Sequence, residues 1–527
     1  MKVNLNYLKQ FVNFNKNNDE MKELLASIGI EVDEILDIEG EPVFEVEITP
    51  NRPDWLSHYG IAREIAAKNP DSNLIKLKVE DKFRDIKNRF SVQIEDKNDC
   101  SRYSGAILKN IKVKESSPVI KSLLESFGLR PLNNIVDISN IILMTYGHPI
   151  HMFDLDKIEG EQIRVRRGDP SEKITLLDGT VAELSKNDLV ISDKKTPIAL
   201  AGVMGGYESG VTLETKNIFI ESAWFNPALV RKTSKVFGLK TDASYLFERG
   251  ADVECTRDII NLTLNFIEKD QEGDLELGGF YDEYPLRSIS DTVKMEKDFP
   301  SNFSGINIDD SIVRSVLNKL GFELAENGNE WNVKVPSFRV DIHGKEDLVE
   351  EIIRIYGYDK LTSEIPRSVN TSTKRDEKRE NIDSIRNFFT ANGFNEVINY
   401  SFHSESDNSF FKGTNESVSI KNPIGSDFSV MRNSLISGLL HNTAFNFNNG
   451  INRVTLMEFG NIFFKDRNNI CEKEMVSFSA SGEYLPPSWF DKKGKKFDFF
   501  IFKSLILSYL KKIRLDVEIE NMSNENS

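Results

Sequence analysis

Ile218-Phe219-Ile220-Glu221-Ser222-Ala223 leads, after a short break, into Asn226-Pro227 and on to Gly238. The first run is apolar and reads as a strand. The second opens on an asparagine suited to capping a helix, places proline in the first turn and closes on glycine. Ser117-Pro118 and Gly128 repeat the same helix punctuation upstream. Between the two helices lie further strand-like runs: Gln162 to Val165, Lys173 to Leu176, Leu189 to Ile191 and Ile198 to Val203. Strands in the majority, with a few capped helices, predict an α+β domain over residues 101–285.

Upstream, Asn18-Asp19-Glu20 opens a helix that closes near Gly29, and Val43 to Ile48 alternates as a strand with one buried face. Thr49-Pro50-Asn51-Arg52-Pro53-Asp54 breaks it, and a helix follows from about Ser57 to Ala67. This gives an N-terminal helical and strand domain over 1–85, with the charged, weakly patterned stretch 68–100 as a boundary. Downstream, residues 288–362 form a small unit: a helix from Asp309-Asp310-Ser311 to Gly321, a strand at Trp331 to Val335 and a helix from Asp347 to Tyr356. Residues 363–380 read as a linker. A last domain, 375–527, mixes a helix to Ala391, a strand at Glu396 to Phe402, a helix from Ser434 to Phe445 and a strand at Val454 to Phe459. The fold class expected is multidomain α+β.

A chain of 527 residues suits about three or four domains. With 39% hydrophobic and 28% charged residues it can bury cores. Cys100, Cys255 and Cys471 lie far apart, which excludes a disulfide framework and a C-x-x-C zinc motif and fits a reducing, cytoplasmic compartment. No apolar run approaches the roughly 18 residues of a membrane span. The formal charge of −16 argues against a dedicated nucleic-acid binder, though a local basic face can serve on an acidic protein.

Five constellations could carry chemistry. The corner Glu45 to Asp54 is rigid, and a structural role outweighs a catalytic one. Gly147-His148-Pro149-Ile150-His151 offers an acid, base or ligand, against the plainer reading of satisfied structural histidines; it lacks the neighbours of a zinc site. Ile198 to Gly206 is rich in small residues that let a ligand approach, or form a packed strand and turn, and it does not match a phosphate loop. Glu221 ends an apolar strand, where a carboxylate is costly unless paired. Either it pairs with Arg249 or it is aimed at a ligand hydroxyl. Asp341, Asp347, Glu350 and Glu351 offer four hard oxygen donors suited to Mg²⁺ or Ca²⁺, the last three sharing one helix face. The alternative is helix capping by Asp347 and Glu350.

Six motifs occur in a fixed order: Phe44 to Asp54 (FEVEITPNRPD), Val136 to Asn140 (VDISN), Gly147 to Asp154 (GHPIHMFD), Leu200 to Gly206 (LAGVMGG), Thr241 to Gly250 (TDASYLFERG) and Asp347 to Tyr358 (DLVEEIIRIYGY). In this order they resemble the family of bacterial phenylalanyl-tRNA synthetase β subunits over nearly the whole chain. The resemblance implies pairing with a catalytic α subunit, as two α and two β, which binds ATP and phenylalanine and charges tRNA(Phe). It makes 101–285 an editing domain that hydrolyses Tyr-tRNA(Phe), 288–362 a small helical domain, and 375–527 an inactive class II synthetase-like antiparallel-sheet domain. No Gly-x-Gly-x-Gly-x-Glu-Arg stretch of the class II ATP site occurs there.

By the same resemblance, His151, Glu221 and Thr241 are the residues expected to act in editing, with Ser139, Asn140, Ala201, Gly202 and Ala243 around the substrate. Ser139 stands where many relatives carry threonine. Asp341, Asp347, Glu350 and Glu351 are expected to hold Mg²⁺ shared with α. Two departures are also expected: Ile38 to Pro42 runs straight into a strand where relatives insert an oligonucleotide-binding-type module, and the chain stops at Ser527, before a complete synthetase-like domain and a C-terminal anticodon-contacting domain.

Overall fold

The structure is a computed structural model that describes residues 1–84, 86, 89–271, 273–287, 291–363, 365, 376–410, 416–467, 469–515 and 517. The chain divides into two units, Met1–Ile365 and Pro366–Ser527. Much of the expected linker 363–380 and the last ten residues lie outside the described residues.

The first unit opens with a three-stranded sheet of β1 (Lys2–Asn4), β2 (Glu31–Ile38) and β3 (Glu41–Glu47), in the order β1-β3-β2. Helix α1 (Asn18–Ser27) is closed at its start by a capping box between Asn17 and Glu20, which satisfies donors the first turn leaves free. Strands β2 and β3 join through Glu39 and Gly40, both with positive φ, as a two-residue type I′ turn requires. The hairpin therefore leaves no room for an inserted module. Helix α2 (His58–Lys68) starts on a Ser57 cap.

The boundary predicted over 68–100 contributes a strand, β4 (Ser91–Ile94), which pairs parallel to the strand Gln162–Arg167 because Val92 fits a core that includes Ile163 and Val165. Residues 85 and 87–88 of that stretch lie outside the description. From here the chain builds two large sheets, beside a two-stranded one of Lys173–Thr175 and Val181–Glu183. Strand β5 (Arg102–Lys109) is followed by helices α3 (Pro118–Ser126) and α4 (Asn134–Tyr146), then β6 (Ile150–Asp154), β7 (Gln162–Arg167), β8 (Leu189–Ser192), β9 (Pro197–Leu200), β10 (Met204–Gly205) and β11 (Asn217–Trp224). Helices α5 (Pro227–Phe237), α6 (Asp242–Phe247) and α7 (Thr256–Asp270) precede β12 (Glu276–Glu283). The sheet orders are β10-β9-β8-β7-β4 and β12-β5-β11-β6. One face of the second sheet packs on α4 and α7 through Ile135, Ile138, Ile142, Ile260 and Leu264; the other joins the first sheet around Phe153, Val190 and Phe219. Both faces of β11 are thus buried, which is why its sequence is nearly continuous in apolar residues.

The region expected to be helical, 288–362, contains a three-stranded antiparallel sheet as well: β13 (Thr292–Glu296), β14 (Glu323–Asn327) and β15 (Glu330–Lys334), ordered β13-β15-β14. Alternation of Val293, Met295, Trp331 and Val333 toward the core makes these strands, and α8 (Asp310–Lys319) and α9 (Lys345–Tyr356) complete the unit. The strand expected at Trp331 to Val335 is present as β15, and the label of a small helical domain is corrected by the two further strands that pair with it. Its core is continuous with that of the N-terminal sheet.

In the second unit, α10 (Glu377–Ala391) and α11 (Ile436–Asn448) accompany a sheet ordered β16-β17-β18-β19, from β16 (Asn395–Glu396), β17 (Arg453–Asp466), β18 (Asn469–Leu485) and β19 (Lys495–Lys496). The pair β17 and β18 is a long antiparallel hairpin, and α12 (Phe499–Lys512) follows, capped by Asp498. Phe389, Phe394, Met457, Leu505 and Tyr509 form its core. The strand expected at Glu396 to Phe402 is interrupted: the Asn399 N–H and side-chain amide both donate to Glu458, diverting the backbone from a sheet ladder. No helix among the described residues is long and apolar enough to cross a membrane.

Candidate functional site

The antiparallel pairing of β6 with β11 sets His151 directly opposite Glu221, and Gly105 of β5 lies on the other side of Glu221. His151 and Glu221 line one cavity of about 90 Å³, together with Gly202, Gly205, Ala243 and Phe247. A larger cleft of about 460 Å³ near Arg63, Tyr146, Asp252 and Phe338 holds none of the expected residues, so chemistry rather than size selects the smaller cavity.

Glu221 is buried, at 5% exposure. Its expected alternative partner, Arg249, pairs instead with Glu248 at 2.6 Å and stacks on the Tyr245 ring. The only hydrogen bond to the Glu221 carboxyl among the described residues comes from Tyr103, whose hydroxyl donates to Oε2 at 2.7 Å. Burial pushes this carboxyl up to about 8, against the opposing pull of the Tyr103 bond. Near pH 7 Glu221 is therefore mostly a neutral acid, able to donate as well as accept.

Burial lowers His151 to about 4, so its imidazole is neutral. Its ring meets Phe153 edge-on at 4.4 Å, and its buried Nε2 has no hydrogen-bond partner. Such an orphan is costly and marks a place where a ligand or water is accommodated. Gly205 makes room for the ring: a Cβ there would fall 2.4 Å from His151 Cε1. Gly202 has a φ of +69° and faces Phe225, Val230 and Phe247, which a side chain would crowd.

The other expected residues sit differently. Thr241 caps α6: its hydroxyl accepts from the Ser244 N–H at 3.0 Å and donates to the Val203 carbonyl at 2.8 Å. It fixes the Ala201–Val203 turn against α6 and carries Ala243 to the cavity. Ala201 is buried within that turn and does not line the cavity. Ser139 and Asn140 lie on α4, outside the cavity lining, with the Ser139 hydroxyl donating to the Val136 carbonyl. Tyr103 was missed by sequence reasoning. Nothing in Arg102-Tyr103-Ser104 marks it, because its partner is 118 positions away.

The four acids do not converge on one point within this chain. Among the described residues no three His, Cys, Asp or Glu side chains converge to hold a metal. Arg339 grips Asp341 through two bonds of 2.9 Å. Glu351 is buried and taken by Arg339 at 2.7 Å, Arg354 at 2.6 Å and Arg52 at 3.4 Å. Asp347 accepts from the His343 and Gly344 N–H groups, the capping role, and Glu350 is exposed. A divalent ion at Glu351 would face three guanidinium groups. The same arginines explain the rigid Asn51-Arg52-Pro53-Asp54 corner: Arg52 binds Asp54 and Glu64 and stacks 3.8 Å over Trp55.

Four family models match the chain in order. Residues 1–68 match the Phe-tRNA synthetase beta subunit B1 domain, 99–271 the B3/4 domain, 293–358 the tRNA synthetase B5 domain, and 361–527 the phenylalanyl tRNA synthetase beta chain CLM domain. This succession of domains defines a chain of the aminoacyl-tRNA synthetase class. Similar proteins include three phenylalanine–tRNA ligase beta subunits. That of Carboxydothermus hydrogenoformans is 36% identical over 492 residues, 92% of this chain and 60% of the relative. Those of Fusobacterium nucleatum and Thermotoga maritima are 38% and 35% identical, covering 83% and 87% of this chain and 55% and 58% of the relatives. The chain belongs to the phenylalanyl-tRNA synthetase beta-chain family, and it spans somewhat over half the length of these relatives.

Proposed function

We propose that the chain is the β subunit of a phenylalanine–tRNA ligase, assembled with α chains as two α and two β, and that the cavity between His151 and Glu221 hydrolyses Tyr-tRNA(Phe). ATP, the Mg²⁺ of its chemistry, phenylalanine activation and transfer to tRNA(Phe) belong in this reading to the α partner. The compartment is cytoplasmic.

The observation that carries the editing role is a buried carboxyl facing a buried, unpartnered histidine across one small cavity. Tyrosine is phenylalanine plus a hydroxyl. A hydrophobic pocket rejects an added hydroxyl only about 10²-fold, whereas a site that hydrogen-bonds the hydroxyl rejects the analogue lacking it by roughly 10⁴ or more. Glu221 supplies that group. At neutral pH it donates to the phenolic oxygen, and once ionised it accepts. His151 orients the water or the ester. Water attacks the ester carbonyl, the bond to the terminal ribose oxygen breaks, and tyrosine and tRNA leave. Thr241 acts through its cap, holding the turn and Ala243 in place.

In the α-containing complex, Glu221→Ala is expected to cut Tyr-tRNA(Phe) hydrolysis at least ~10²-fold while phenylalanine charging persists. Unchanged hydrolysis would end the proposed role of Glu221. Gly205→Ala tests His151 without removing it. Its methyl displaces the imidazole, and a loss of about 10²-fold in hydrolysis is expected at unaltered charging. One observation favours a second reading, a scaffold subunit without editing: the cavity of about 90 Å³ is smaller than the roughly 150 Å³ that holds benzene. On that reading the wild-type complex charges phenylalanine but hydrolyses Tyr-tRNA(Phe) no faster than Glu221→Ala.

A further inference from the structure

Tyr103 is fully buried on β5, in register with Ala223 of β11, two positions along from the pairing of Gly105 with Glu221. Its hydroxyl meets Glu221 Oε2 at 2.7 Å. Its ring lies against Phe219, with centroids 6.4 Å apart and planes 26° from parallel, so the phenol is held by packing. Glu221 Oε1 has no hydrogen-bond partner among the described residues, and Glu221 lines the cavity.

We propose that Tyr103 is a positioning residue of this cavity: by donating to Oε2 it confines the exchangeable proton or the free lone pairs of Glu221 to Oε1, and so fixes the direction from which a ligand's phenolic hydroxyl is read. The inference rests on the editing role proposed for the cavity. An unheld carboxyl can rotate and exchange its two oxygens, and each rotamer offers a different atom to the ligand. One oxygen bound to a rigid phenol removes that choice before the ligand arrives, which is the advantage of a preorganised site.

The titratable groups around Glu221 are Tyr103 on β5, Cys100 just before that strand, and His151 facing it on β6. Burial pushes the Tyr103 phenol and the Cys100 thiol up and keeps His151 neutral at pH 7. Glu221 is therefore the group among them that changes charge between pH 6.5 and 9. Tyr103 stays a donor throughout that range.

The test uses the α-containing complex with Tyr103→Phe and Glu221→Gln, measuring kcat and KM for Tyr-tRNA(Phe) hydrolysis from pH 6 to 9. The Glu221 carboxyl is followed in parallel by its infrared carbonyl band, identified as the band missing in Glu221→Gln. Tyr103→Phe is expected to lower kcat/KM about tenfold and to move the Glu221 titration to higher pH, since the lost bond favoured the ionised form, with phenylalanine charging unchanged. Wild-type kcat/KM with an unmoved Glu221 titration in Tyr103→Phe would overturn the inference. If Tyr103→Phe does not fold, global replacement of tyrosine by 3-fluorotyrosine serves instead: the more acidic phenol is a stronger donor and moves the Glu221 titration to lower pH, and no movement overturns the inference. Undiminished hydrolysis in Glu221→Gln defeats the editing role itself. Loss in Glu221→Gln alongside wild-type behaviour in Tyr103→Phe defeats the positioning role alone.

Discussion

Glu351→Ala is expected to destabilise the first unit by roughly 3–5 kcal/mol, the cost of leaving buried charge without its partner. Burial alone would push the Glu351 carboxyl up, yet Arg354, Arg339 and Arg52 hold it below the usual carboxylate range. Arg52 comes from the corner before α2, Arg339 from the loop after β15, and Arg354 from α9. The glutamate thus joins the N-terminal sheet domain to the 293–358 domain. Once it is removed, Asp341 stays with Arg339, and Arg52 and Arg354 are left to Asp54 and Glu64. Asp54 also pairs with Arg63 at 3.6 Å, so four arginines are left with three carboxylates and one positive charge is in excess, in a region where the arginine side chains are at most 12% exposed. Urea unfolding of the first unit measures the cost. Glu350→Ala, one residue away and exposed, should stay within about 0.5 kcal/mol of wild type. Added Mg²⁺ should leave both midpoints unmoved. Equal midpoints for Glu351→Ala and wild type would show that the arginines do not depend on this carboxylate. Mg²⁺-dependent stabilisation abolished by either variant would restore the acids as a cation site.

That contrast shows where the sequence is readable and where it is not. Helix ends are written locally: Asn226-Pro227 with Gly238 specify caps within a few residues and the structure follows them, while the helix expected to open at Asn18-Asp19-Glu20 takes Asn17 as its cap. Buried strands are legible where they are apolar throughout, as in Ile218–Glu221, though the strand runs on to Trp224. Charge partners are another matter. Asp347, Glu350 and Glu351 do share one helix side, but what they do depends on arginines up to 299 positions away, and spacing along a helix carries no record of them. Glu221 was recognised as a buried carboxyl in need of a partner. The partner is Tyr103 rather than Arg249, since pairing across β5 and β11 brings the phenol in and the turn after α6 takes the arginine elsewhere. The strand expected at Glu396 to Phe402 failed for a similar reason: its backbone answers to Glu458, 59 positions away from Asn399.

The contribution of four buried groups to the stability of the first unit is expected to peak near pH 6.5 and to fall on both sides, because their shifts have opposite sign. Burial lowers His58, His148 and His151 from 6.5 to about 4. For each, the unfolded chain binds the proton more readily, so stability is full above pH 6.5 and is lost as pH falls toward 4. Glu221 is raised from 4.5 to about 8. There the folded form holds the proton more tightly, so its cost is absent below pH 4.5, grows up to pH 8 and is constant above. Between pH 4.5 and 6.5 unfolding takes up three protons on histidine and releases one from Glu221. From these four groups the slope is about +2.7 kcal/mol per pH unit, turning to about −1.4 between pH 6.5 and 8. His58 gives the sharpest test because both of its nitrogens are committed. Nε2 accepts from the Asn4 N–H at 3.2 Å, which leaves the proton on Nδ1 to donate to the Met144 carbonyl at 2.8 Å. A second proton would set an N–H against the Asn4 N–H and part β1 from α4. Urea titrations from pH 4.5 to 8.5 should find the acid slope of His58→Gln lower by one proton, whatever its midpoint, and the alkaline slope of Glu221→Gln flattened. An acid slope unchanged in His58→Gln would mean that the imidazole is protonated in the fold at acid pH, and the hydrogen bonds drawn for its neutral form would have to be abandoned.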